Sequence, residues 1–226
     1  MEDPTEHAGP APRGRHGLPA DLVASHQRER VLAAMIELVA KRGYRGTSVD
    51  HIVKSARVGY PAFYQLFEDK EECFCAAFDR VVEDARERIA ASVPASAPWP
   101  ERVCAALRSL LELIAAEPFR ARIVLVEALT AGEAAFSRHE ALLDDVAQTL
   151  RAGRALRSDP EAPPPTLEEA TVSGIAWLIN QRVVLVDLGD LDQLFPELAL
   201  IVLEPYLGSA ETRSLIQTHS RARAPA

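Results

Sequence analysis

The 226-residue sequence holds only three cysteines, Cys73, Cys75 and Cys104. Three thiols cannot all pair with one another, so a disulfide framework is not expected and a reducing compartment, the cytoplasm, is. The N-terminal run MEDPTEHAGP lacks the basic-then-apolar pattern of a secretory signal. Long hydrophobic runs are missing as well. Stretches such as ARIVLVEALTAG fall short of the ~18 apolar residues that a membrane helix needs, and the one around Trp177 is broken by Asn180, Gln181 and Arg182. Catalytic signatures are equally scarce. There is no Gly-x-Ser-x-Gly, no phosphate loop and no Gly-x-Gly-x-x-Gly, and no histidine has a glutamate three residues before it, which removes the helical di-iron pattern. Cys73 and Cys75 stand two apart on a helix, face different directions and read as buried thiols rather than a metal or redox pair. No enzyme, no cofactor and no metal site is expected.

What is present is the composition of a packed globular chain, 48% hydrophobic and 26% charged. The net charge of −8 argues against a protein that coats nucleic acid without specificity. That charge is unevenly spread. From Ala24 to Phe67 there are seven Lys or Arg against three acids, whereas from Glu71 onward there are 15 basic against 24 acidic residues. A small basic head on an acidic body points to local contact with a polyanion, with the body serving another purpose.

Proline clusters and hydrophobic period divide the chain. Residues 1–17 have no period and read as a disordered tail, whose Arg13 and Arg15 are either simply solvated or reach a minor groove. The proline-rich stretches 92–100 and 157–166 read as loops. Helices are expected at 19–42, from Thr47, from Tyr60, and at 71–92, 100–116, 119–131, 134–156, 166–188 and 191–207, followed by a polar C-terminal tail over 210–226. The second helix has Thr47 as its expected cap, with Asp50 three residues on completing a capping box, and Val49, Ile52, Val53 and Ala56 on one face.

The second and third helices, joined by Arg57, Val58 and Gly59, form a helix-turn-helix pattern. In such a unit one helix holds the other in the major groove, where its N-terminal side chains reach base edges. Phe63 and Phe67 are expected to bury. Tyr60, Pro61, Ala62, Tyr64 and Gln65 then face outward, an uncharged surface able to read bases by hydrogen bonds and methyl contacts. Thr47, Tyr64 and Lys70 flank it and suit phosphate contact, although Tyr64 could instead brace the first helix.

Gly43, Tyr44, Thr47, Ser48 and Val49, then Ala56 and Val58, then Phe63, Tyr64, Phe67, Lys70 and Glu71 together resemble the N-terminal domain of the TetR family of bacterial transcriptional repressors over about fifty residues. Two positions depart from that pattern. Gly59 stands where the family usually has a capping serine, and Leu66 where a phosphate-binding histidine is common. The resemblance implies an all-α protein of about nine helices, acting as a homodimer, with a helix-turn-helix domain over 18–70 and a ligand-binding and dimerisation domain over 71–209. It implies phosphate contacts by Thr47, Tyr64 and Lys70 and base contacts by Tyr60, Pro61 and Ala62, with Ser48 and Gln65 as further candidate DNA contacts. The function it implies is a ligand-responsive repressor, released from a palindromic operator by an apolar or amphipathic small molecule. The alternative is a helical small-molecule-binding protein without operator binding.

Within the body, the run Leu198, Ala199, Leu200, Ile201, Val202, Leu203 is apolar all round, and the segment carrying Val172, Ile175, Ile179 and Val183 has further apolar residues off that stripe. Burial on more than one side suggests that these two helices form an isologous four-helix interface, against the alternative of simple core packing. For the ligand, Cys75, Phe78, Leu107, Leu111, Phe119 and Trp177 are candidate walls. Arg122 and Glu127 are candidate polar groups among apolar neighbours, unless they pair with each other or lie in solvent.

Overall fold

The computed structural model describes residues 20–93, 96–157, 163–185 and 191–221, and every regular element among them is helical. Arg13, Arg15 and the rest of the expected N-terminal tail lie outside the described residues. The order is α1 (Ala20–Arg42), α2 (Val49–Ala56), α3 (Tyr60–Leu66), α4 (Lys70–Ser92), α5 (Trp99–Ala116), α6 (Pro118–Arg122), a π-helical turn (Ile123–Glu127), α7 (Ala128–Ala131), α8 (Glu133–Arg151), a 3-10 turn (Ala152–Leu156), α9 (Leu167–Leu185), α10 (Leu191–Leu207) and α11 (Ser209–Arg221).

Two hydrophobic cores organise these helices. The first gathers Val31, Met35 and Val39 of α1, Ile52 and Val53 of α2 and Phe63 of α3 around Phe74 and Phe78 of α4. Ile123, Ala128 and Ala135 join the same core from the far side of α4, so the three-helix head is packed onto the body. Fully burying an aromatic or branched side chain stabilises by about 1.5–3 kcal/mol, which makes α4 the principal bond between head and body. The second core lies among α5, α8, α9, α10 and α11, with Leu111, Ile179, Phe195, Leu198 and Leu203 inside it.

Three expectations change. The segment 210–226, read as a polar tail, is helical as α11 over Ser209–Arg221. Thr212 and Ile216, one turn apart, are buried, and Gly208 at φ +77 lets the chain turn back at the end of α10. The expected helix 119–131 is interrupted by the π-turn, whose side-chain supports lie on α8 and α9. The expected helix 134–156 tightens into a 3-10 turn at Ala152, where buried Gly153 sits against Trp99; a Cβ there would lie 2.4 Å from the indole ring.

A buried ion pair fastens the far end of the body. Glu168 is 0% exposed and accepts two bonds from Arg154, Nε at 2.7 Å and a terminal guanidinium nitrogen at 2.6 Å, plus one from the Tyr206 hydroxyl at 2.9 Å. Those donors hold its carboxyl down to about 2, with Arg154 the larger cause, against the desolvation that opposes them.

Candidate nucleic-acid interface

The head is built from short segments, each closed by a specific hydrogen bond. Helix α1 stops at Gly43, in the left-handed region at φ +71, whose N–H donates to Val39 O at 2.8 Å. Helix α2 is capped by Ser48, one residue later than the expected Thr47. The Ser48 hydroxyl accepts from the His51 N–H and His51 Nδ1 accepts from the Ser48 N–H, both at 3.3 Å, so His51 rather than Asp50 completes the capping box. Thr47 is 2% exposed, and its hydroxyl donates backward to Gly43 O at 2.9 Å. In the chain alone it therefore closes the turn rather than facing outward.

The turn between α2 and α3 places Arg57 at φ 52, a left-handed conformation that a side chain adopts at some cost. Arg30 of α1 offsets that cost. Its guanidinium donates to Ala56 O from Nε at 2.9 Å and to Arg57 O at 2.5 Å, taking up carbonyls freed at the end of α2. Sequence reading missed this residue, since nothing local marks an arginine 26 positions away as a helix cap.

Helix α3 begins after Gly59, which supplies no side-chain cap, with Pro61 in its first turn. Phe63 is buried and packs on Phe67 at 5.7 Å between ring centroids, while Arg28 lies over the Phe67 ring at 4.8 Å. Burying these rings turns the opposite face outward. Ser48, Tyr60, Pro61, Tyr64 and Gln65 are all exposed, Tyr64 at 55%, and Ala62 is half-buried. Six of the eight expected side chains thus share one accessible surface around α3 and the start of α2.

Tyr60 is held in place within that surface. Its hydroxyl donates to Asp50 Oδ1 at 2.9 Å, and the other Asp50 oxygen pairs with Lys54 at 2.8 Å. Lys54 first and Tyr60 second hold the Asp50 carboxyl below its ordinary range, and the bond to Asp50 raises the Tyr60 hydroxyl. Lys70, expected at a phosphate, instead donates to Tyr44 O at 3.1 Å and Thr47 O at 3.0 Å and sits 3.8 Å above the Tyr44 ring. Burial lowers its ammonium. Two of its three N–H donors are spent on holding the turn 43–47 against α4.

The expected ligand residues are not brought to one place. Cys75 and Phe78 belong to the first core and Leu107 and Leu111 to the second. Phe119 and Trp177 belong to neither core and are exposed, Trp177 at 62%. Arg122 and Glu127 pair with each other at 2.9 Å. A cleft of about 430 Å³ lies elsewhere, lined by Leu156, Arg157, Glu204, Tyr206, Leu207 and Glu211 among others, and none of the eight residues lines it. All three cysteines are buried, and burial pushes Cys73 up to about 12 and Cys104 to about 11, which keeps these two thiols protonated and unreactive near neutrality. Among the described residues no group of three His, Cys, Asp or Glu could hold a metal, and no helix is long and apolar enough to cross a membrane.

A capped α2, a tight turn and an α3 with one buried aromatic face define a helix-turn-helix protein. Residues 31–77 match the model of bacterial regulatory proteins of the tetR family. A similar relative is an HTH-type transcriptional regulator of Bacillus subtilis (strain 168), YhgD, 29% identical over 86 residues, which are 38% of this chain and 45% of the relative. Another, an HTH-type regulator of Lactococcus lactis, is 36% identical over 56 residues, 25% of this chain and 29% of the relative. The chain thus spans less than half the length of either. Among solved structures, the regulator FadR from Bacillus subtilis in complex with stearoyl-CoA superposes with a TM-score of 0.65 at 20% identity, covering 77% of this chain and 97% of that one. A transcriptional regulator from Rhodococcus sp. Rha1 gives 0.62 at 25% identity, covering 80% and 97%. The head is thus similar to tetR-family regulatory proteins over residues 31–77, and the chain as a whole shares the fold of these solved regulators.

Proposed function

We infer that the protein is a homodimeric, ligand-responsive transcriptional regulator of the cytoplasm, a repressor released from a palindromic operator by an apolar or amphipathic small molecule. The observation that carries this reading is the exposed, uncharged group of Ser48, Tyr60, Pro61, Tyr64 and Gln65 on a head whose inner side is packed into the first core. Ser48, Tyr60, Pro61 and Gln65 suit base edges, while Tyr64 and the arginines and lysines around them suit phosphates. The matches of the head to HTH-type regulators support the same reading.

Dimerisation is supported by what α9 and α10 leave uncovered. Trp177, Leu178, Val184 and Leu185 of α9 and Ile201 of α10 are all exposed in the single chain. A second copy brought up by a two-fold axis would bury them, and a two-fold dimer reads two half-sites one helical turn or a small multiple apart. The amphipathic character of the effector is supported by the stearoyl-CoA held in the FadR neighbour.

Selection from a library of random duplexes tests the reading. An inverted repeat should be recovered, and calorimetric titration of an effector with and without that duplex should give affinities that differ by the factor linkage demands. A chain that recovers no duplex but binds a small molecule is the binding protein without an operator.

A further inference from the structure

The π-turn Ile123–Glu127 is a departure from helix regularity at the point where the body touches the head. A π-turn adds one residue to a helical turn, so the residues beyond it are rotated by about 100° from where an uninterrupted helix would put them. Its backbone is supported from two other helices. His139 of α8, buried, donates from Nδ1 to Val124 O at 3.0 Å, and the Asn180 side-chain amide of α9 donates to Leu125 O. The turn also packs against α1 and α4.

Its last residue, Glu127, is 7% exposed and points into the head. One carboxylate oxygen accepts the Tyr44 N–H at 2.8 Å, and the other accepts Arg122 Nε at 2.9 Å. Gly43 lies so close that a Cβ would stand 3.3 Å from both oxygens. Tyr44 is the knot of the turn from α1 to α2. Its N–H is held by the body through Glu127, its carbonyl by Lys70 and the Thr47 N–H, and its ring by Phe74 at 5.0 Å. From Thr47 the chain runs directly through Ser48 into α2, and α2 carries α3.

We propose that Glu127 is a positioning residue for DNA binding: delivered by the π-turn, its carboxylate fixes the turn 43–47 and so sets how the head sits on the body. The state of α8 and α9 then reaches the head through His139, Asn180 and the rotation of the π-turn. This rests on the DNA-binding reading above and adds to it the atom through which body and head communicate. Returning the π-turn to α-helical register would swing the carboxylate away from Tyr44 and leave that N–H without its acceptor.

The experiment uses the full-length chain and a duplex that the native protein recovers from a random library, with hydrogen exchange at the Tyr44 amide followed in parallel. Glu127→Ala speeds that exchange and weakens duplex binding, each by about tenfold or more, the loss expected for a charge-assisted bond. Exchange within α2 and α3 stays native, because the head moves without unfolding. Glu127→Gln keeps a carbonyl acceptor and retains most of both properties. Asn180→Ala acts in the same direction, and added to Glu127→Ala it causes no further loss, since both act through one carboxylate. A recovered duplex that Glu127→Ala binds within about twofold of the native chain overturns the positioning role alone, as does exchange rising evenly through the head. Recovery of no duplex by the native chain refutes the DNA-binding reading and the role with it, whatever the exchange at Tyr44.

Discussion

Replacing Arg154 by Met tests the buried ion pair of the body. Methionine keeps much of the arginine stem's bulk but removes both nitrogens that donate to Glu168, at 2.7 and 2.6 Å, and leaves a carboxylate that is 0% exposed with Tyr206 as its side-chain donor. Breaking a buried pair on one side costs about 3–5 kcal/mol, and since Arg154 itself is partly exposed the lower end applies, about 3 kcal/mol. In a chain of this size that is roughly a 6–12 °C fall in Tm, measured by calorimetry at one fixed protein concentration. The pH dependence carries more information than the magnitude. In the native chain the Glu168 carboxyl is held down to about 2, so its contribution is complete above the unfolded carboxyl value near 4.5 and is lost as pH falls toward 2. In the variant the Arg154 bonds are gone, so desolvation moves the carboxyl up from about 2 and the variant loses less stability than the native chain as pH falls. The difference in stability between the two proteins therefore shrinks on acidification. A difference that stays constant from pH 7 to 3, or a cost under about 1 kcal/mol, refutes the reasoning.

Ile201→Arg places a charge on the exposed apolar face of α10, where Ile201 is 47% exposed in one chain; light scattering after gel filtration should report monomer or aggregate, and a native dimer would remove α10 from the interface. Gly153→Ala puts a methyl group 2.4 Å from the Trp99 ring and should destabilise by about 1–3 kcal/mol in chemical denaturation; a neutral result would mean that Trp99 swings aside freely.

Local signals made the helix-turn-helix legible. The apolar spacing of Ile52, Val53 and Ala56, the aromatic pair Phe63 and Phe67, and the stop at Gly43 are all settled within a few residues, and they place α1, α2 and α3. The errors arose where distant contacts decide between local equals. Thr47 and Ser48 are both good caps, and the choice falls to Ser48 because packing buries Thr47. Nor does the sequence near Lys70 show that the fold brings two carbonyls, from residues 44 and 47, to its ammonium. The π-turn leaves no mark in its own sequence, since its supports stand 15 and 55 positions away. Helix α11 did carry a signal in Thr212, Leu215 and Ile216, but a polar segment at the end of a chain hides so short a stripe. The ligand candidates were not separable from core because apolar walls and apolar core look alike in sequence, and four of them, Cys75 and Phe78 against Leu107 and Leu111, divide between two cores.

The central claim is that the outward face of α3 reads DNA. Fluorescence anisotropy of the duplex recovered by the native chain, titrated with the native protein and with Tyr60→Ala and Tyr64→Ala, measures it most directly. Tyr64 is exposed and makes no hydrogen bond inside the head that would have to be broken, so Tyr64→Ala should weaken every duplex alike as a lost backbone contact does. Tyr60 is oriented by Asp50, and Tyr60→Ala should change which sequences are preferred, at about 1–3 kcal/mol per altered base pair. Native affinity and native sequence preference in both variants would contradict the account.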